Sequence, residues 1–285
     1  MAQGHEELLF FVLSSSFLVR YDPPVARFKI TLEYAGGRYS GWQKQVNART
    51  VQGELERALA ATVGHGDFDC QGSGRTDAGV HALMQVAHLE VHLTMPLEKL
   101  RRQMNDELPS DIHVLAIVKA AHRFHARHAA LGRSYLYQVS RRRTAFAKPF
   151  VWWVKEPLDV GLVAEAATRF SGMHDFRSFS DDDADDKSTA VLVEQVEVGE
   201  QGDLILIRVT GSHFLWKMVR RMVGVMVEIG RGGLPVAAVG EFLQQSSGTP
   251  ARLTAPASGL FLERVFYEGD ERAFPLVAAV PVRAR

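Results

Sequence analysis

The chain has 285 residues, 46% of them hydrophobic, with 33 basic and 33 acidic side chains and one cysteine. That length suffices for one large domain or two small ones. A single cysteine excludes a disulfide framework and a cysteine-cluster metal site, and no run reaches the ~20 apolar residues that span a bilayer.

Zero formal charge points to no partner, but the charges are unevenly distributed. Arginine gathers at Arg101-Arg102, Arg141-Arg142-Arg143 and Arg220-Arg221, and acid gathers in the run 181–186. A basic face balanced by acid elsewhere is compatible with nucleic acid. Within residues 1–24, the apolar stretch Leu8–Val19 is flanked by Gly-His-Glu-Glu instead of basic residues, and no cleavage site precedes Tyr21. The segment therefore reads as an extension outside the fold, not as a signal peptide.

From Phe28, alternation of Phe28, Ile30, Leu32 and Tyr34 predicts a half-buried strand. Thr50 is placed to cap a helix carrying Val51, Leu55, Ala58 and Leu59 on one side. A short strand at Phe68–Gln71, with Cys70 as a buried thiol, leads into the loop GSGRTDAGVHA, residues 72–82. Ala87, Leu89, Val91 and Leu93 mark the next strand, Pro96 opens a helix, and Ile112–Val118 closes the set. The order is β-α-β-β-α-β. It repeats with a strand at Tyr135–Val139, a helix through Val163–Phe170, a hairpin of Leu192–Val198 and Leu204–Val209, a helix Leu215–Ile229 and a strand at 261–267. A further helix begins near Pro235. Two such units predict an α+β fold of duplicated ferredoxin-like halves, with antiparallel sheets and helices on one face. The expected divisions are 1–24, 25–130, 131–270 and a tail 271–285. The acidic run falls in a solvated surface loop.

Residues 72–82 are too glycine-rich for a helix interior or a central strand, and they lack the order of a phosphate-binding loop. On the helix 215–229, Lys217, Arg221 and Glu228 take the polar side. Arg220 instead falls at the apolar border, beside Gly224. A guanidinium held there either snorkels its stem over apolar surface or meets a buried carboxylate, and if an acid is required Asp77 is the leading candidate. Paired with Arg220, Asp77 is expected to have a lowered pKa and to serve as nucleophile or base. Tyr135 either fills the core of its strand or offers an aromatic face to a nucleobase. Arg75 shares one side of an extended loop with Asp77. His122, His125 and His128 lack the neighbouring acids of a metal site, and His81 reads as a structural hydrogen-bonder.

The loop closely resembles the signature of the TruA family of tRNA pseudouridine synthases. YAGGRYSGWQKQ (34–45), LPSDIHV (108–114), FHARHAA (124–130), RSYLY (133–137), HDFRSF (174–179), FLWKMVRRMVG (214–224) and APASGLFLERVFY (255–267) resemble family segments in the family's order. The resemblance runs from about Arg27 to Tyr267. It implies the pseudouridine synthase fold, with Asp77 as catalytic residue, Tyr135 as the base-stacking tyrosine, Arg220 as the partner of Asp77, and Arg75 in place of the flipped base. The implied reaction isomerises uridine to pseudouridine in the anticodon stem-loop of tRNA, at positions 38, 39 or 40. No cofactor or metal is implied, and a cytoplasmic homodimer is. The loop glycines then read as a backbone thin enough to approach an extruded nucleotide. The acidic run is expected to face away from the tRNA.

Overall fold

A computed structural model describes residues 26–181 and 188–284. The first half contributes β1 (Ala26–Tyr34), α1 (Val51–Val63), β2 (Phe68–Gly72), β3 (His81–Val91), α2 (Leu97–Glu107) and β4 (Ile112–Lys119). β4, β1, β3 and β2 lie side by side and all pair antiparallel, the ferredoxin-like order. The expected cap is present: the Thr50 hydroxyl accepts from the Gly53 N–H, and Gly64 ends α1 in the left-handed region at φ 81°.

The second half contributes β5 (Gly132–Ser140), β6 (Trp152–Trp153), α3 (Val160–Thr168), β7 (Gly172–Asp175), β8 (Ala190–Gln201), β9 (Leu204–Gly211), α4 (Met218–Gly230), α5 (Ala238–Gln244), α6 (Thr249–Arg252) and β10 (Leu260–Phe266). β10, β5, β9 and β8 repeat the order of the first half, with β7 added at the edge. The short β6 and β7 have no periodicity to betray them in the sequence. The two four-stranded sheets are joined edge to edge, where β3 meets β10 in parallel through His81–Phe261 and Ala82–Leu262. The result is one ten-stranded sheet.

All the main helices cover one face. Leu55, Leu59, Leu100 and Met104 pack on Ile30, Leu32 and Leu89; Val163, Met222, Val223 and Met226 pack on Tyr137, Ile205 and Ile207. At about 25 cal/mol per Å² of apolar surface, this burial is the main term holding each half together. On the opposite face, Leu136, Leu204, Leu206 and Phe261 are covered by Ala147, Val151 and the tail residues Leu276 and Val282. The tail is clasped by Arg208. This buried guanidinium donates to both oxygens of Glu263, at 2.8 and 2.7 Å, and to the carbonyls of Phe274 and Pro275. Ser134 donates to the same Glu263 carboxylate.

Three expectations are corrected. The fourth main helix starts at Met218, because Lys217 adopts φ 63° and breaks the run that Leu215 seemed to begin. Arg221 is buried, not solvated, and pairs with Asp181 together with Lys217. Asp181, the one described residue of the acidic run, is exposed as expected and pairs with both cations; the remainder of the run, 182–186, and the extension 1–24 lie outside the described residues. Five of the seven clustered arginines, Arg101, Arg141, Arg142, Arg220 and Arg221, also each face a carboxylate, so the clusters are less openly basic than the sequence suggests. Among the described residues no helix is long and apolar enough to cross a membrane.

Candidate active site

The loop between β2 and β3 is laced to the segment 36–42. Trp42 N–H donates to Thr76 O at 3.1 Å, and Gly79 N–H donates to Tyr39 O at 3.3 Å. Glycine is required on both strands of this lacing. A Cβ on Gly36 would sit 1.8 Å from Val80 O, and one on Gly41, at φ 89°, would sit 2.6 Å from Thr76 O. Gly72 leaves room for the Trp42 ring, which a Cβ would approach to 2.5 Å. The loop glycines thus serve mainly contacts within the protein. Of those in 72–79, only Gly74 has no neighbour within 4 Å of its Cβ position, so the thin-backbone reading is retained there alone.

Beneath the loop lies a buried polar network. Gln85, fully enclosed, accepts from the Ser73 hydroxyl at 2.7 Å and donates to Gly74 O at 3.3 Å. Its amide also reaches Tyr34, whose hydroxyl bonds the Thr76 hydroxyl at 2.9 Å. Such a network is costly unless all its members are paired, and when paired it fixes one geometry. From the far side Arg133 grips the loop, donating to Ser73 O and to the carbonyls of Arg127 and Ser212. Neither Gln85 nor Arg133 was singled out in the sequence. Their signal there is a polar side chain interrupting a buried strand pattern.

Thr76 points inward, and Asp77 emerges at the seam between the halves. Arg220 Nη1 stands 3.4 Å from Asp77 Oδ2, while Arg220 Nε donates to Ala255 O at 2.7 Å. Gly224 is what admits the Leu253–Ala255 backbone, since a Cβ would lie 1.7 Å from Leu253 O. Its space is filled by that backbone and not by the guanidinium. The expected pairing is therefore present, but its electrostatic consequence is reversed. Burial raises the Asp77 pKa above the usual carboxylate value, more than Arg220, Lys217 and a hydrogen bond from Trp216 lower it. A single contact at 3.4 Å is weaker than a bidentate pair and does not offset the lost hydration. The outcome is a more basic carboxylate than the sequence reading expected.

Tyr135 comes from β5, half-buried and edge-on to Phe214 at 5.2 Å. Burial and the Asp77 charge push its phenol up to about 12, so it stays protonated. Arg75 is exposed and donates to Gln43 at 3.1 Å; its charge is not spent on Asp77. Trp216, half-exposed beside Asp77, was not singled out in the sequence. A cavity of about 240 Å³ lined by His81, Asp111, Phe150, Phe261 and Val280 does not include Asp77, Tyr135 or Arg220.

His81 accepts from Gly36 N–H at 3.0 Å, which leaves its other nitrogen to donate to Pro149 O at 3.0 Å. It is a satisfied neutral imidazole. Burial lowers the pKa of His81, His88 and His213. Below about 6.5 the unfolded chain takes up protons that these folded histidines refuse, so stability increases with pH through that window. The urea midpoint is expected to fall between pH 7.5 and pH 5.5; a midpoint that stays level or rises would refute this. The His125 ring lies tilted against those of His88 and His128, and among the described residues no group of His, Cys, Asp or Glu is arranged to hold a metal.

A family model described as tRNA pseudouridine synthase matches residues 30–128 and 166–268. The chain is 41% identical over 243 residues to tRNA pseudouridine synthase A of Moorella thermoacetica, covering 84% of this chain and 98% of that protein. The corresponding enzyme of Aquifex aeolicus is 38% identical over 240 residues, with the same coverage. That of Hyphomonas neptunium is 39% identical over 244 residues, covering 85% and 98%.

Proposed function

Because this chain belongs to the TruA family of tRNA pseudouridine synthases and is thus an isomerase, we propose that it converts uridine to pseudouridine at positions 38, 39 or 40 of the tRNA anticodon stem-loop, with Asp77 as the reacting carboxylate. The uridine C1′–N1 bond breaks, the uracil turns, and C5 bonds to the same ribose carbon. N1 ends protonated and C5 loses its proton to solvent. Nothing is oxidised and no group is lost, so the reaction calls for no cofactor or metal.

The observation that carries this reading is a half-buried carboxylate held on a laced loop 3.4 Å from an arginine of the opposite half. Such a group acts as nucleophile or base. Arg220 limits the cost of its charge, and Tyr135 offers the extruded uracil a ring face with a protonated hydroxyl. Extrusion costs a few kcal/mol; Arg75, exposed and bonded among the described residues to Gln43, is placed to fill the position the base leaves. We further take the active form to be a cytoplasmic homodimer in which one tRNA contacts both subunits.

The test uses the purified full chain and anticodon stem-loop RNAs tritiated at C5 of a single uridine, at position 38, 39 or 40. Tritium release from at least one is expected, with light scattering giving twice the chain mass. No release from any of the three would remove the assignment.

A further inference from the structure

We propose that the loop 121–129 is a phosphate clamp, whose Arg123 and Arg127 bind backbone phosphates of the RNA beside the extruded uridine, an inference that rests on the reading of Asp77 as the reacting group. A surface loop ordinarily leaves its backbone groups to water and stays mobile. This loop does not. Arg27, on β1, donates to Phe124 O at 2.6 Å, and the buried Tyr267, just past β10, donates to Ala126 O at 2.7 Å. The buried His88 ring, on β3, accepts from Ala126 N–H at 3.2 Å. Arg133, on β5, donates to Arg127 O at 3.1 Å. Side chains from four strands or their ends thus fix one short loop.

What the fixed loop displays is positive charge. Arg123 and Arg127 are exposed, and among the described residues neither guanidinium has a hydrogen-bond or ion-pair partner. Arg101, Arg141 and Arg142 differ, since each spends its charge on a carboxylate. Arg133 itself bonds to carbonyls, those of Ser73, Arg127 and Ser212, and brings no acid to the group. Gathered cations without a counter-charge repel one another in the free protein and are relieved when an anion enters. The location is equally specific. The Arg133 Nη2 that holds Arg127 O also holds Ser73 O, at 3.0 Å, on the loop that carries Asp77. One nitrogen therefore ties the basic loop to the reacting loop.

The ligand follows from the chemistry. A guanidinium presents a planar fork of N–H donors that matches two phosphate oxygens. The RNA backbone is a row of such anions, and contacts to it set position without reading a base. Because the loop backbone is already fixed, binding orders little beyond the two side chains. The clamp thus places the strand, and Asp77 and Tyr135 act on what it places.

The experiment measures binding of the full chain to the anticodon stem-loop RNA across a range of KCl, together with tritium release, for wild type, Arg123→Gln, Arg127→Gln, Arg127→Lys and Arg101→Gln. Each phosphate contact contributes roughly 0.7 to 0.9 to the slope of log affinity against log salt. Arg123→Gln and Arg127→Gln are each expected to lower the slope by that amount and to weaken binding roughly 5-fold at about 0.1 M salt. KM rises accordingly, with kcat within about 3-fold of wild type. Arg127→Lys keeps the slope because an ammonium also displaces a counterion, and Arg101→Gln keeps it because Arg101 lies outside the clamp. Neutralising one RNA phosphate at a time as a methylphosphonate should reveal a linkage at which wild type and Arg127→Gln bind alike. A wild-type slope in either glutamine variant overturns the proposal, as does a deficit of Arg127→Gln that persists at every linkage. Absence of release by wild type overturns the function itself, a distinct result because the slopes are read without turnover.

Discussion

Asp77→Asn is expected to reduce tritium release by on the order of 10³-fold or more, to leave RNA affinity unchanged, and to raise the melting temperature. The first part follows from the absence of a substitute. Among the described residues, the charged groups that act on Asp77 are the cations Arg220 and Lys217, and the nearby Asp181 is committed to Lys217 and Arg221. No second carboxylate is poised to take over as nucleophile or base. The second part follows because Asn has the same shape, and the loop is fixed through Gln85, Arg133 and the backbone of Tyr39 and Trp42, not through the carboxylate. The third part follows from the pKa direction. A folded-state value above the unfolded one means that ionised Asp77 costs stability at every pH above its unfolded value of about 3.9. Removing the charge removes the cost. A rate within about 10-fold of wild type would exclude Asp77 from the chemistry. A lower melting temperature would instead show that the Arg220 attraction outweighs burial.

Glu263→Gln is expected to give the largest loss of stability, about 3 kcal/mol, because it leaves Arg208 buried with its main counter-charge gone. The residual Glu197 contact at 3.2 Å and the Phe274 ring, 4.0 Å from the guanidinium, keep the loss below the upper end for such pairs. In a chain of this size that corresponds to roughly 8 °C. The loss has a definite location. The carbonyls of Phe274 and Pro275 are held by the same arginine, so protection against proteolysis should fall first in the tail that covers Leu204, Leu206 and Phe261. The paired substitution Arg208→Met with Glu263→Leu should recover much of the stability, since an apolar pair carries no desolvation cost. A single Glu263→Gln variant that melts with the wild type would refute the account.

The repeated β-α-β-β-α-β order was legible because alternation and helical periodicity are local signals, and each half is built from them. The pairing of Asp77 with Arg220 was legible for a different reason: Arg220 falls off the polar face of α4, and a misplaced charge announces a partner. The same logic was available for Arg208 and Glu263, each of which interrupts an apolar strand, LILIRV and LFLERVF. What stayed hidden depended on distant residues. The start of α4 looks periodic from Leu215 onward, and only Asp181, 36 residues before Lys217, holds the turn that stops it. The pKa of Asp77 was misread because sequence names a partner but not the depth of burial. The loop glycines were read toward the ligand because the segment they interleave with, 36–42, lies far upstream in the chain.

The narrow seam between β3 and β10 has a kinetic consequence. The second half closes only when β10 reaches β5, as Phe266 pairs with Gly132, and Asp77 and Arg220, 143 residues apart, meet only where His81 and Ala82 then find Phe261 and Leu262. Contacts of such separation form late, because the intervening chain must first be ordered. A nascent chain therefore acquires its first half and its helices before it brings Asp77 to Arg220. The Asp77–Arg220 pair is assembled by the last closure of the fold.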